Sequence, residues 1–235
     1  FALDPYLGWG GGVCAEQTAA VTFVDCNFVD NGAQTGGALY LGSTTVDIVS
    51  SHITGNTALR GGGIYADNGD VLIRDCNVVA NWARQDVNDV NDVNGVNPGV
   101  GYGAGLALVM SEAEIWDSNF FANDADSSGG GVYVRGGAPT FINNLFYQNA
   151  AGRDGGAMSV NADSKPLLRN NTFHSNAALA TAGGEGRNGL GGALYAGHGS
   201  EVTIIDSIFW QNSALRGGEI AVGSGAEFEP VCSTV

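Results

Sequence analysis

The chain repeats itself. FVDNGAQTGGALY at Phe28–Tyr40 returns as ITGNTALRGGGIY at Ile53–Tyr65, FFANDADSSGGGVY at Phe120–Tyr133 and FWQNSALRGGEIA at Phe209–Ala221. A fixed internal period makes each unit a module that buries its apolar residues only against its neighbours. Aligned on the Asn of an F-x-x-N element, the units place Asn31, Asn56, Asn81, Asn123, Asn149, Asn176 and Asn212 at intervals of 25, 25, 42, 26, 27 and 36 residues. The base period is about 25, interrupted by two long insertions.

The other columns keep this register. Val13, Leu39, Ile64, Leu106, Val132, Met158, Leu194 and Ile220 form an aliphatic column, and Phe28, Ile53, Val78, Phe120, Phe146, Phe173 and Phe209 another. Within a unit the apolar positions alternate two by two, which is strand periodicity with one face buried. Three short strands per turn, separated by Gly-Gly and Asn-containing bends, describe a coil of a parallel β-helix. Stacked about 4.8 Å apart, roughly eight coils make a rod about 35–40 Å long. The Asn column then reads as an amide ladder between coils. The column Ala33, Ala58, Ala83, Ala125, Ala151, Ala178 and Ala214 suits the tight interior of the same corner. A Gly pair in every unit rules out an array of amphipathic helices.

GGALY, GGGIY, GGGVY, GGAMS and GGALY again at Gly191–Tyr195, each preceded by an F-x-x-N-type element, resemble the GGA[ILV] and FxxN repeats of chlamydial polymorphic outer-membrane proteins. They also resemble the broader bacterial right-handed parallel β-helix repeat proteins. The resemblance covers about residues 10–227 and implies an all-β, right-handed, single-stranded parallel β-helix. It further implies a secreted or surface location and a role in adhesion or surface structure.

Composition narrows the partners. The chain carries 24 acidic against 9 basic residues, a formal charge of −15. Such a surface repels nucleic acid and anionic membranes. No run of 18 apolar residues is present, so no helical membrane span is expected. The chain opens at Phe1 with neither an initiator Met nor a signal peptide, which suggests a trimmed product of a longer precursor. Residues 1–9 read as a cap or strap and 10–235 as the β-helix domain. The insertions fall at about 84–102 and 180–190, at one corner of the rod.

Candidate sites gather where the repeat is interrupted or ends. Asp86, Asp89 and Asp92, alternating with Asn88, Asn91 and Asn94, offer oxygen ligands suited to calcium, although the order is not that of an EF-hand. A solvated low-complexity loop explains the same run. Arg60, Arg84, Arg153, Arg187 and Arg216 lie just before the Gly pair, where they could bind an acidic sugar or simply pair with neighbouring acids such as Asp126 and Asp154. Two outward columns become aromatic towards the C-terminal half and give Trp116, Phe121, Tyr147 and Trp210 as candidate interface residues. Tyr40, Tyr65, Tyr133 and Tyr195 form a further outward column with an equally good structural explanation as a tyrosine stack.

Cys26 and Cys76 share a column two coils apart, near 9.6 Å, which is too far for a disulfide. Cys14 and Cys232 sit in the first and last coils, so they could join rods stacked head to tail; alternatively Cys14 could meet Cys26. No catalytic set is evident. The acids are spread over turns, and His52, His174 and His198 share no coil and no column. The leading expectation is a secreted structural solenoid, a subunit of an extracellular filament or surface layer, assembled through rod ends and an apolar outer face. A carbohydrate-binding or polysaccharide-processing β-helix working at the inserted corner is one alternative, and an adhesin passenger fragment another. Self-association and a glycan are the expected partners.

Overall fold

The computed structural model describes residues 8–17, 20–85, 101–179 and 189–231. Among these, the strands form four sheets, each strand pairing in parallel with its counterpart one coil above and below. Sheet 1 has eight strands, from Val13–Glu16 to Ile220–Val222, and sheet 2 has eight, from Val21–Val24 to Glu227–Val231. Sheet 3 has seven, from Asn27–Val29 to Ile208–Trp210. The fourth sheet revises the expected three strands per turn. Its six two-residue strands run from Thr57–Ala58 to Ser213–Ala214 and contain most of the alanine column. Backbone pairing continues past the Asn bend there: Thr57 N–H donates to Asn31 O at 2.9 Å, and Asp124 N–H to Asn81 O at 3.0 Å.

The aliphatic column from Leu39 to Leu194 is wholly buried. The phenylalanines stack ring on ring, with Phe120–Phe146 at 5.0 Å and Phe146–Phe173 and Phe173–Phe209 at 4.6 Å. Each such fully buried ring stabilises the fold by about 1.5–3 kcal/mol.

Left-handed residues turn the corners. Asp25, Ser50, Asp75, Asp117, Asn143, Asn170 and Asp206, between sheets 2 and 3, have φ between +49° and +57°. Asn and Asp tolerate this region because their short polar side chains bond locally. These residues therefore shape a bend. The Gly pair solves a different problem at each position. Gly155 has φ +67°. Gly156 does not, but a Cβ there would lie 2.2 Å from the carbonyl oxygen of Gly192, so only hydrogen fits between the coils.

The Asn ladder is continuous and polar. From Asn31 to Asn212 each Nδ2 donates to the Oδ1 of the Asn one coil on, at 2.8–3.0 Å. Each backbone N–H reaches the same oxygen at 2.8–3.1 Å. From Asn56 onward the second Nδ2 hydrogen goes back to the preceding coil, as in Asn149 to Phe120 O at 2.9 Å. A second, mixed ladder of Ser51, Cys76, Ser118, Asn144, Asn171 and Ser207 closes the other bend. Cys14, Cys26 and Cys76 are free thiols, so the alternative Cys14–Cys26 pairing is not formed. Cys232 lies outside the described residues.

Candidate interaction faces and the insertion corner

Two outward positions on each strand of sheet 3 build one face. The first column reads Asn27, His52, Asn77, Asn119, Leu145, Thr172 and Ile208, the second Val29, Thr54, Val79, Phe121, Tyr147, His174 and Trp210. Neither contains Asp, Glu, Lys or Arg, in a chain of net charge −15. The aromatic half is a ladder: Phe121–Tyr147 at 5.3 Å, Tyr147–His174 at 5.2 Å and His174–Trp210 at 5.0 Å, with interplanar angles of 9–21°. Within the ladder the ring faces cover one another, and the edges point outward. A shallow groove of about 320 Å³ runs between the columns, lined by Asn77, Val79, Asn119, Phe121, Leu145 and Tyr147. Leu145, Ile208 and Trp210 are exposed, Trp210 by 60%. Trp116 stands apart, because the bend at Asp117 and Ser118 puts it on sheet 2 between Arg74 and Ile142. Its Nε1 is buried without a hydrogen-bond partner among the described residues.

Sheet 2 presents the opposite chemistry. Asp47, Asp70, Glu112 and Glu114 line an open groove of about 320 Å³, with Leu72 among them. Among the described residues, no group of three or more His, Cys, Asp or Glu is placed to hold a metal ion.

On sheet 1 the outward tyrosines form a stack that draws on two columns. Trp9 stacks on Tyr40 at 4.9 Å, and Tyr40 on Tyr65 at 5.8 Å. The next outward position is Ala107, in register with both Tyr65 and Tyr133. Tyr102, five residues earlier, supplies the missing ring; it lies 4.4 Å from Tyr133 and shares a side-chain hydrogen bond with Tyr65. Burial pushes its hydroxyl pKa well up. Trp9 does the same service above Cys14, which is in register with Tyr40.

The corner carrying the insertions is braced by ion pairs. Arg84 donates to Asp124 and Asp126, both at 3.0 Å, and Gln85 N–H to Asp126 at 2.7 Å. Arg153 Nε lies 3.5 Å from the Asp154 carboxylate. Burial raises the Asp154 pKa, with Arg153 and the N–H of Leu190 pulling it down. Thus Arg84 and Arg153 have acidic partners, as the simpler reading of the arginines expects. Asp86, Asp89, Asp92 and Arg187 lie outside the described residues.

Parallel strands in register, coil upon coil, are matched by one family model, that of the right handed beta helix region, over residues 6–232. The chain belongs to the right-handed β-helix family. Comparison with curated proteins and with solved structures gives no match. No helix among the described residues is long and apolar enough to cross a membrane. For this right-handed β-helix protein, the structure adds Trp9, Tyr102 and Glu219 to the residues singled out from sequence. Glu219 had a visible signal: it is the GGE in a column otherwise occupied by Gly or Ala.

Proposed function

We propose that this β-helix is a non-catalytic structural solenoid of the cell exterior that associates side by side with copies of itself through the outer face of sheet 3. One observation carries the reading: the face has no charged residue, while sheet 2 bears Asp47, Asp70, Glu112, Glu114, Glu201, Glu227 and Glu229 on its outside. Two rods of charge −15 repel one another, so they approach at least cost where no carboxylates oppose. Seven three-residue strands at about 4.8 Å spacing give a patch roughly 30 Å long and about 10 Å wide, which would bury about 300 Å² per partner. That is below the usual range of specific interfaces, so the association is weak and concentration-dependent. The exterior location rests on the likeness to the chlamydial surface repeats, and an adhesin passenger is the alternative from the same likeness. A sugar-stacking platform draws less support, since the ring faces are used within the ladder.

Sedimentation velocity tests the reading. Wild-type protein should grow in size from micromolar to about 100 micromolar, more so at 0.5 M salt, because screening weakens the self-repulsion. Tyr147→Arg with Trp210→Arg should hold it monomeric. A wild-type protein that stays monomeric across both ranges overturns the proposal.

A further inference from the structure

The outer face of sheet 3 has no Asp, Glu, Lys or Arg, yet it holds two of the chain's three histidines, His52 and His174. Histidine is the side chain that gains a charge between about pH 8 and 5. The two stand in different surroundings. His174 is a rung of the aromatic ladder, its ring 5.2 Å from that of Tyr147 and 5.0 Å from that of Trp210. Its Nδ1 lies 3.1 Å from the carbonyl oxygen of Trp210, which can only accept, so Nδ1 carries the hydrogen and Nε2 is left to take a proton. The Ser175 hydroxyl is 3.2 Å from Nε2 and 3.5 Å from Nδ1, so it lies over the ring and in line with neither nitrogen. Among the described residues, the one titratable group facing His174 from the strands on either side is the Tyr147 phenol. Leu145 and Ile208 stand in the neighbouring column, and Gln148 and Gln211 at the corner. Asp206 is four residues from Trp210, about 13 Å along the strand, and the Glu219 carboxylate is taken up by Asn212. His52, by contrast, is exposed in the amide half, with Asn77 Nδ2 at 3.4 Å and with Asp25 and Asp75 at the adjoining bend.

We infer that His174 makes the lateral association proposed above sensitive to acid, an inference that rests on that reading. When a second rod covers the face, a protonated His174 is taken out of water with no carboxylate to receive it, and burying an unpaired charge is costly. Association therefore selects the neutral ring and releases a proton from any His174 that was charged in the free rod. The contact is at full strength at the alkaline end and is lost as the pH falls and His174 gains its proton. Net charge works in the opposite direction, because proton uptake lowers the repulsion between rods of charge −15. Weaker association in acid is thus a signature of the face itself. The carboxylates of Asp25 and Asp75 offset a charge on His52, which leaves His174 to carry the effect.

The test is sedimentation velocity on the intact chain in 0.5 M salt, at pH 7.5 and at pH 5.5, with each protein compared only with itself. Release of one proton per contact changes the association constant about 10-fold per pH unit, so the wild type should weaken at least about 10-fold over this range. His174→Phe keeps a ring in the ladder, and Trp210 O keeps the Ser175 N–H at 3.2 Å. That variant should not weaken at pH 5.5, whereas His52→Gln should weaken as the wild type does. His174→Gln serves if the phenylalanine variant does not fold. Three results overturn the inference and leave the lateral association standing: a wild type that associates as tightly or more tightly at pH 5.5, a His174 variant that weakens as much as the wild type, or a His52→Gln protein that no longer responds. A wild type that is monomeric at pH 7.5 overturns both readings.

Discussion

The ring of Tyr102 stands 4.4 Å from that of Tyr133, in the position that the outward side chain of Ala107 leaves open. Where sheet 1 offers Tyr40 or Tyr65, the position five residues earlier is Thr35 or Arg60. Where it offers Ala107, the earlier position is Tyr102. The two sites thus compensate. Tyr102→Ala should cost about 2–3 kcal/mol, and Ala107→Tyr alone should also destabilise, by crowding Tyr102. Combined, they should recover at least half of the summed loss. Urea denaturation of the four proteins gives the coupling, and an additive result would show the sites to be independent.

Asn149 lies in the middle of its ladder. Asn149→Ala leaves the N–H and Nδ2 of Asn123 and the carbonyl of Phe120 without their partner, all in the interior. With a cost of about 1–3 kcal/mol for each unmet buried group, a loss of at least 3 kcal/mol is expected. Asn31 is half-buried and heads the ladder, so Asn31→Ala should cost much less. Equal losses in thermal or urea unfolding would contradict the ladder account.

Gly156→Ala sets a methyl 2.2 Å from the carbonyl of Gly192, where only backbone can give way. The coil must part locally, and a loss of about 3 kcal/mol or more is expected. By contrast Ala157, the next residue, carries its methyl fully buried in a different column. A Gly156→Ala protein with wild-type stability would mean that the coils leave room for a methyl at this position.

Asp154 makes stability depend on pH with a definite sign. Burial raises its folded-state pKa above the usual 3.8, so the folded chain holds this proton more tightly than the unfolded one. The resulting stabilisation is full below the unfolded pKa and is lost as pH rises through the folded value. Asp154→Asn abolishes that titration and keeps an oxygen for the Leu190 N–H, which now donates to Asp154 Oδ1 at 3.3 Å. The variant should match wild type near pH 3 and exceed it at pH 7. Denaturation midpoints across that range decide it, and a gap that shrinks with rising pH would refute the assignment.

Most of the fold was legible because a period repeats its evidence. The aliphatic column, the phenylalanines and the seven Asn each appear once per coil, so each position confirms the others. The fourth strand was hidden because two residues, such as Thr57–Ala58, are too few to show alternation. Tyr102 was hidden for another reason: it acts five residues from the column it completes, and alignment by column cannot show exchange between columns. The uncharged face was partly legible. Phe121, Tyr147 and Trp210 fall in one column, but Trp116 belongs beyond a bend whose left-handed Asp117 no spacing reveals.

The six amide bonds from Asn31 to Asn212 all point the same way along the rod. In series, such dipoles add as peptide dipoles do along an α-helix, leaving partial positive charge where the N–H groups end. The last of them among the described residues, Asn212, meets the carboxylate of Glu219, much as an acidic residue meets the first turn of a helix. One corner of this all-β protein thereby acquires an electrical direction, negative at Asn31 and positive at Asn212, that the sheets themselves do not have.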